Sequence, residues 1–238
     1  MILGIMQPYF FPYIGYFSLI KHTDKYILSD IVQFSHDSWV ARNRILKPNE
    51  GWQYIHVPLI KSCGTVSIKD KRINNSVDWK RTIFNQLDHY RKKAPNYNIT
   101  IQLLDDIFSG EYEYIVQLNH ASITKICCYL RFKAEIEIFS EMNLRIDKPL
   151  AADEWALNIC KAHKGATGYL NPPGGQYFYN SAKYHEAGLN IQFLQNYLTP
   201  YDQKRTGFES GLSIIDILMF NSVEEINLML DNYILIDN

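Results

Sequence analysis

Residues 2–30, ILGIMQPYFFPYIGYFSLIKHTDKYILSD, decide the fold. The apolar run Ile2–Met6 stops at Gln7-Pro8, as a buried strand does where it gives way to a loop. Beyond Pro12, residues Ile14, Phe17, Ser18 and Ile20 recur at helical spacing, which predicts a helix ending near His22. Lys25–Leu28 then reads as a second strand with Asp30 at its C-terminal end. Strand, loop, helix and strand in this order open a parallel α/β sheet, because parallel neighbours need a crossover.

Working outward, Trp39–Leu46 reads as a short helix and Trp52–Leu59 as a third strand stopped near Pro58. Residues 61–78 are polar and irregular, with a basic cluster at Lys69, Lys71 and Arg72. Helical patterns follow over Trp79–Lys92, about Pro95–Phe108, and Tyr112–Leu130. They predict a helical insert at 79–131 within a single α/β domain covering 1–238. Strands are then expected at Glu135–Phe139, Thr167–Leu170 and Leu189–Leu194, separated by helices at Pro149–His163 and Ala182–Ala187. After a loop at Thr199–Gly211, two helices close the chain, with Ser213 and Ser222 as N-caps. The expected class is α/β: a Rossmann-like, mostly parallel sheet flanked by helices.

Composition narrows the function. The 24 Lys and Arg nearly balance the 25 Asp and Glu in 238 residues, for a net charge of −1. That excludes a general nucleic-acid binder, which needs a basic excess. Hydrophobic residues make up 47%, enough for a sizeable core and against disorder. The four cysteines, Cys63, Cys127, Cys128 and Cys160, form neither a zinc motif nor a disulfide framework. No His, Cys, Asp and Glu set shows metal-ligand spacing. The N-terminus lacks a basic leader and is broken by Pro8 and Pro12, and no apolar run is long enough to span a bilayer. A cytoplasmic protein without membrane insertion is the expectation.

Polar residues gather where strands end, which in open α/β sheets is where ligands bind. Gln7, Tyr9, Tyr13 and Tyr16 surround the first strand–helix junction; the alternative for the aromatics is core packing. Asp30 and Gln33 follow the second strand; the alternative is turn formation. Trp39, Arg42, Asn43 and Arg44 combine an indole with two guanidinium groups suited to phosphate. On a helix Arg42 and Arg44 diverge, whereas in extended chain they face alike; a solvated basic face is the alternative. Residues 165–177 contain Tyr169, Gly174, Gly175 and Tyr177. This stretch matches neither Gly-x-x-x-x-Gly-Lys-Ser/Thr nor Gly-x-Gly-x-x-Gly, leaving an anion cradle or a simple turn. Cys160 and His163 share a helix face, as a nucleophile pair or as buried structure. Gln203 lies in the loop after the last expected strand.

Taken together, Met6-Gln7-Pro8-Tyr9-Phe10-Phe11-Pro12-Tyr13-Ile14-Gly15-Tyr16-Phe17, Asp30, Val32-Gln33-Phe34, Trp39 and Arg42-Asn43-Arg44 resemble the WbqC family. Tyr90, Ala94-Pro95, Gly165-Ala166, Tyr169, Gly175, Tyr177, Gln203 and Leu212-Ser213-Ile214-Ile215-Asp216 extend the resemblance over essentially the whole chain. It departs at Asn171-Pro172-Pro173, where a Ser-Gly pair is expected. The resemblance implies a role in bacterial surface-polysaccharide (O-antigen, lipopolysaccharide) biosynthesis, acting on an activated sugar. A weaker fold likeness links Tyr13-Ile14-Gly15-Tyr16 to the His-x-Gly-His signature of nucleotidylyltransferase-like enzymes such as pantothenate synthetase, with tyrosines replacing both histidines.

The expected function is a transferase that places an acyl or aminoacyl group on a nucleotide-linked amino sugar. The donor is ATP plus an acid, or an acyl thioester, delivered in one version by an acyl or aminoacyl carrier protein. Arg42 and Arg44 are expected to bind phosphate, while Gln7, Asp30 and Gln33 position the sugar. Asp30 is the candidate base, with Cys160 a candidate nucleophile. Alternatives are a nucleotidyltransferase-like enzyme and a non-catalytic sugar-binding or scaffolding protein.

Overall fold

Side chains on a strand alternate between its two faces, so a central strand must be apolar on both. The computed structural model describes residues 1–237. In it β1 (Ile2–Met6) sits at the centre of a six-stranded sheet, ordered β5-β2-β1-β6-β7-β8. The other strands are β2 (Lys25–Leu28), β5 (Ile136–Ile138), β6 (Gly168–Asn171), β7 (Asn190–Asn196) and β8 (Tyr233–Asp237). β1 runs parallel to both neighbours, Leu3 pairing with Lys25 on one side and Tyr169 on the other. The parallel set continues through β5 and β7, and β8 closes the edge antiparallel to β7. Counted within the sheet alone, this is the doubly wound, Rossmann-like order, whose direction of build reverses between β1 and β6.

Two apolar layers cover the sheet. Tyr26, Leu28, Leu170 and Leu194 face the first, packed by α1 (Ile14–Lys21), α4 (Ile115–Tyr129), α7 (Ile214–Phe220) and α8 (Val223–Leu230). Leu3, Ile5, Ile27, Tyr169, Ile191 and Phe193 face the second, covered by α5 (Glu154–Ala162) and α6 (Ser181–Glu186). The expected helical segment appears as α2 (Trp79–Leu87), α3 (Tyr97–Phe108) and α4. Trp79, Ile83, Leu87, Leu104 and Ile107 join the first layer's core and extend it. Ser213 and Ser222 cap α7 and α8 as expected, accepting from the backbone of Ile215 and Glu225.

Two sequence readings are corrected. The helix expected over Trp39–Leu46 is instead strand β3 (Arg42–Leu46), paired antiparallel with β4 (Trp52–His56) in a separate two-stranded sheet. The pairing is the physical reason: it buries Asn43, Ile45 and Ile55 on one face and leaves Arg42, Arg44, Trp52 and Tyr54 on the other. β8 was not foreseen; its residues are half-buried or exposed throughout, without the alternation that marks a strand.

Candidate functional site

The loop between β1 and α1 is fixed by side chains from distant elements. Tyr16 donates to the Gln7 carbonyl at 2.8 Å, and Asn119 donates to the Pro8 carbonyl at 2.8 Å. Asn43 Nδ2 spans the Phe10 and Phe11 carbonyls at 3.0 and 2.8 Å, and Ser213 adds a second bond to Phe11 at 2.8 Å. These bonds hold Phe11 at φ +39°, a left-handed conformation costing a non-glycine residue about 1–3 kcal/mol. Phe10 and Phe11 are wholly buried, each contributing about 2–3 kcal/mol of apolar burial that offsets the strain.

This rigid loop borders a cavity of about 830 Å³ at the carboxyl ends of β1, β2 and β6, where the sheet order reverses. The cavity brings together Gln7, Tyr9, Tyr13, Gln33, Trp39, Asn43, Arg44, Tyr169, Gly174 and Gly175 from the sequence-derived candidates. Burial raises the hydroxyl pKa of both Tyr9 and Tyr13, so they stay protonated donors at neutral pH. Among the described residues the Gln7 and Gln33 amides have no protein partner, whereas Asn43 spends its amide on the loop and on the Arg44 backbone.

Arg44 is the one charged side chain on the cavity wall among the described residues. Its guanidinium lies 5.4 Å from the Trp39 ring and 5.1 Å from the Trp52 ring, within cation–π range. One terminal nitrogen donates to the Gly211 carbonyl at 2.9 Å, and the buried Nε has no partner among the described residues. Gly211 has φ +64°, so a side chain there is strained besides lying 3.3 Å from the guanidinium. The result is a pre-oriented cation with hydrogen-bonding capacity left for an anion.

Six candidates lie elsewhere. Asp30 is fully buried beside the cavity, and both its oxygens accept from Ser140, from the backbone N at 3.0 Å and Oγ at 2.6 Å. Burial raises its pKa, and its carboxylate is not on the cavity wall. Cys160 is 1% exposed on the core-facing side of α5, and burial pushes its thiol up to about 12. Neither access nor thiolate is available for a nucleophile. Tyr16 is fully buried with its hydroxyl spent on Gln7. Arg42 lies on the hairpin outside the cavity, over the Tyr54 ring and bonded to Asp37. Tyr177 is fully exposed and off the wall, and the neighbouring Phe178 and Tyr179 line it instead. Gln203 is buried in another cluster, donating to Asp216 at 3.1 Å and to the Glu209 carbonyl at 3.0 Å.

Ser29, Asn171, Trp155 and Leu198 also line the wall; the sequence assigned none of them a site role, and Asn171 stood out only as a departure from the family pattern. Ser29 follows β2 and Asn171 ends β6, so the strand-end rule applied strictly finds both. Trp155 comes from α5 and carries no local signal. Among the described residues no group of His, Cys, Asp and Glu is placed to hold a metal ion, and no helix is long and apolar enough to cross a membrane.

An uncharacterized protein of Mycobacterium tuberculosis is 26% identical over 219 residues, covering 91% of this chain and 92% of that one. No solved structure gives a significant match. The model of the WbqC-like protein family matches residues 7–228, from the cavity loop to the last helix. The chain therefore belongs to the WbqC-like protein family.

Proposed function

We propose that the protein is a transferase of bacterial surface-polysaccharide biosynthesis that forms an amide on a nucleotide-linked amino sugar. The observation that carries this reading is the cavity itself: one stacked cation, Arg44, on a wall whose other polar side chains are uncharged amides and hydroxyls, set among aromatic and aliphatic residues. Its volume of about 830 Å³ lies within the range of small-molecule sites, about 300–1,000 Å³. Arg44 binds the phosphate, Trp39 stacks on the base, and Gln7, Gln33, Tyr9 and Tyr13 position the sugar.

With Asp30 and Cys160 outside the cavity, the chemistry is direct transfer from an activated donor. The sugar amine attacks the carbonyl of an acyl thioester; the C–N bond forms, the C–S bond breaks, and the amine proton leaves with the thiol. An amine of this class titrates at about 8, so part of it is unprotonated near neutrality without a strong base. Tyrosine and amide donors then stabilise the developing oxyanion. Nucleotidyl transfer is the weaker reading, since one guanidinium faces the whole charge of a triphosphate. A non-catalytic sugar-nucleotide binder is favoured by one observation: no carboxylate, histidine, lysine or cysteine lines the wall among the described residues.

The test incubates the protein with dTDP- and UDP-linked amino sugars and either acyl thioesters or ATP plus acid. A new amide by mass spectrometry supports transfer. Binding without turnover leaves the binder, and pyrophosphate release points to nucleotidyl transfer.

A further inference from the structure

One amide on the cavity wall has its sense fixed by the protein. Asn171, the last residue of β6, is 5% exposed and lines the cavity. Its Nδ2 donates to the Pro172 carbonyl at 3.3 Å, and its Oδ1 accepts from the Tyr169 hydroxyl at 2.9 Å. A carbonyl only accepts, so the nitrogen must lie on the Pro172 side. Tyr169 is itself immobilised: it is 2% exposed, stacks on Tyr184 at 5.9 Å, and its hydroxyl lies 3.2 Å from that of Tyr179. Room beside the amide nitrogen exists because residue 175 is glycine. A Cβ there would sit 3.1 Å from Asn171 Nδ2 and 3.1 Å from the Tyr179 ring. An amide nitrogen carries two N–H groups, and the second has no protein partner among the described residues. Gln7, just past the end of the adjacent strand, differs: its amide has no partner among the described residues to fix its sense.

We propose that Asn171 is a fixed hydrogen-bond donor that selects an acceptor oxygen, a hydroxyl or acyl carbonyl of the bound sugar. Tyr169 is its positioning residue, and Gly175 is the gap that admits it. The proposal rests on the nucleotide-sugar reading and gives it a direction. It sets an acceptor oxygen of the sugar against the end of β6.

The experiment titrates UDP-N-acetylglucosamine and dTDP-glucose calorimetrically into wild-type protein, Asn171→Ala, Tyr169→Phe, the double variant and Asn171→Asp. Each single change weakens binding about tenfold, and the double variant is no weaker than Asn171→Ala, because Tyr169 acts through Asn171. Asn171→Asp, whose carboxylate has no proton to donate, binds as weakly as Asn171→Ala at pH 8 and recovers only as the pH falls toward about 4, where the carboxyl begins to protonate; a merely structural role moves no such profile. Additive losses, or Asn171→Asp binding as wild type at pH 8, overturn the assignment and leave the nucleotide-sugar reading standing. Failure of both probes to bind wild-type protein removes that reading, and the assignment with it.

Discussion

Ser140 donates two hydrogen bonds to the Asp30 carboxylate, one from its backbone and one from its hydroxyl. They tie the end of β2 to the turn that follows β5. Asp30→Asn keeps the shape but loses the charge and one acceptor. The expected cost is about 1–3 kcal/mol in urea denaturation, with nucleotide-sugar affinity changed less than about threefold. A large loss of turnover at unchanged stability restores Asp30 as a base.

The thiols divide by exposure. Cys63 and Cys128 are exposed, while Cys127 and Cys160 are buried with thiol pKa values raised by burial. Iodoacetamide at pH 8, followed by peptide mass spectrometry, labels the first two quickly and the second two only on unfolding. Cys160→Ala retains any amide-forming activity. Rapid native labelling of Cys160 contradicts this placement.

Asp216 gives stability a pH dependence of known sign. It is fully buried and accepts from Tyr90 and Tyr201 at 2.5 Å each, yet desolvation lifts its pKa from 3.8 to about 6. The folded state therefore holds this proton more tightly than the unfolded chain. Its contribution is full below pH 4 and lost as pH rises through 6, on the order of 3 kcal/mol. Urea midpoints of wild type minus Asp216→Asn, measured from pH 4 to 7, should fall across that window. A flat difference is the contrary result.

Asn43→Ala tests the loop clamp. Removing the amide strands the buried Phe10 carbonyl and leaves Phe11 with Ser213 alone. The expected loss is about 2–4 kcal/mol by denaturation, larger than for an exposed Asn43-like position. A loss below about 0.5 kcal/mol shows the loop is held by packing instead.

How much of this was legible depends on how local the signal is. β1, α1 and β2 follow from short apolar runs punctuated by Pro8 and Pro12, and the structure has them where the sequence puts them. β3 was misread because its pairing partner, β4, lies beyond a turn and only that pairing selects strand over helix. At the cavity, strand-end position found Gln7 and Gln33, and the Arg-x-Arg pair held Arg44. The same signals also pick out Asp30 and Arg42, which lie off the cavity wall. A polar residue at a strand end looks alike whether it faces a ligand or Ser140, distant in sequence. Tyr13 and Tyr16 likewise part company at the start of α1: Tyr13 is the extended residue before the helix and lines the cavity, whereas Tyr16 lies inside the helix and faces the core.

Arg42 and Arg44 provide the sharpest contrast, two residues apart with the same chemistry and only Arg44 on the cavity wall. The most direct measurement is calorimetric titration of UDP- and dTDP-linked amino sugars into wild type, Arg42→Ala and Arg44→Ala. Arg44→Ala should weaken binding by about 10–100-fold, as loss of a charged hydrogen-bond partner does, while Arg42→Ala stays within about twofold of wild type. Equal losses in the two variants, or no binding by wild-type protein, would contradict a nucleotide-linked sugar held at the cavity through Arg44.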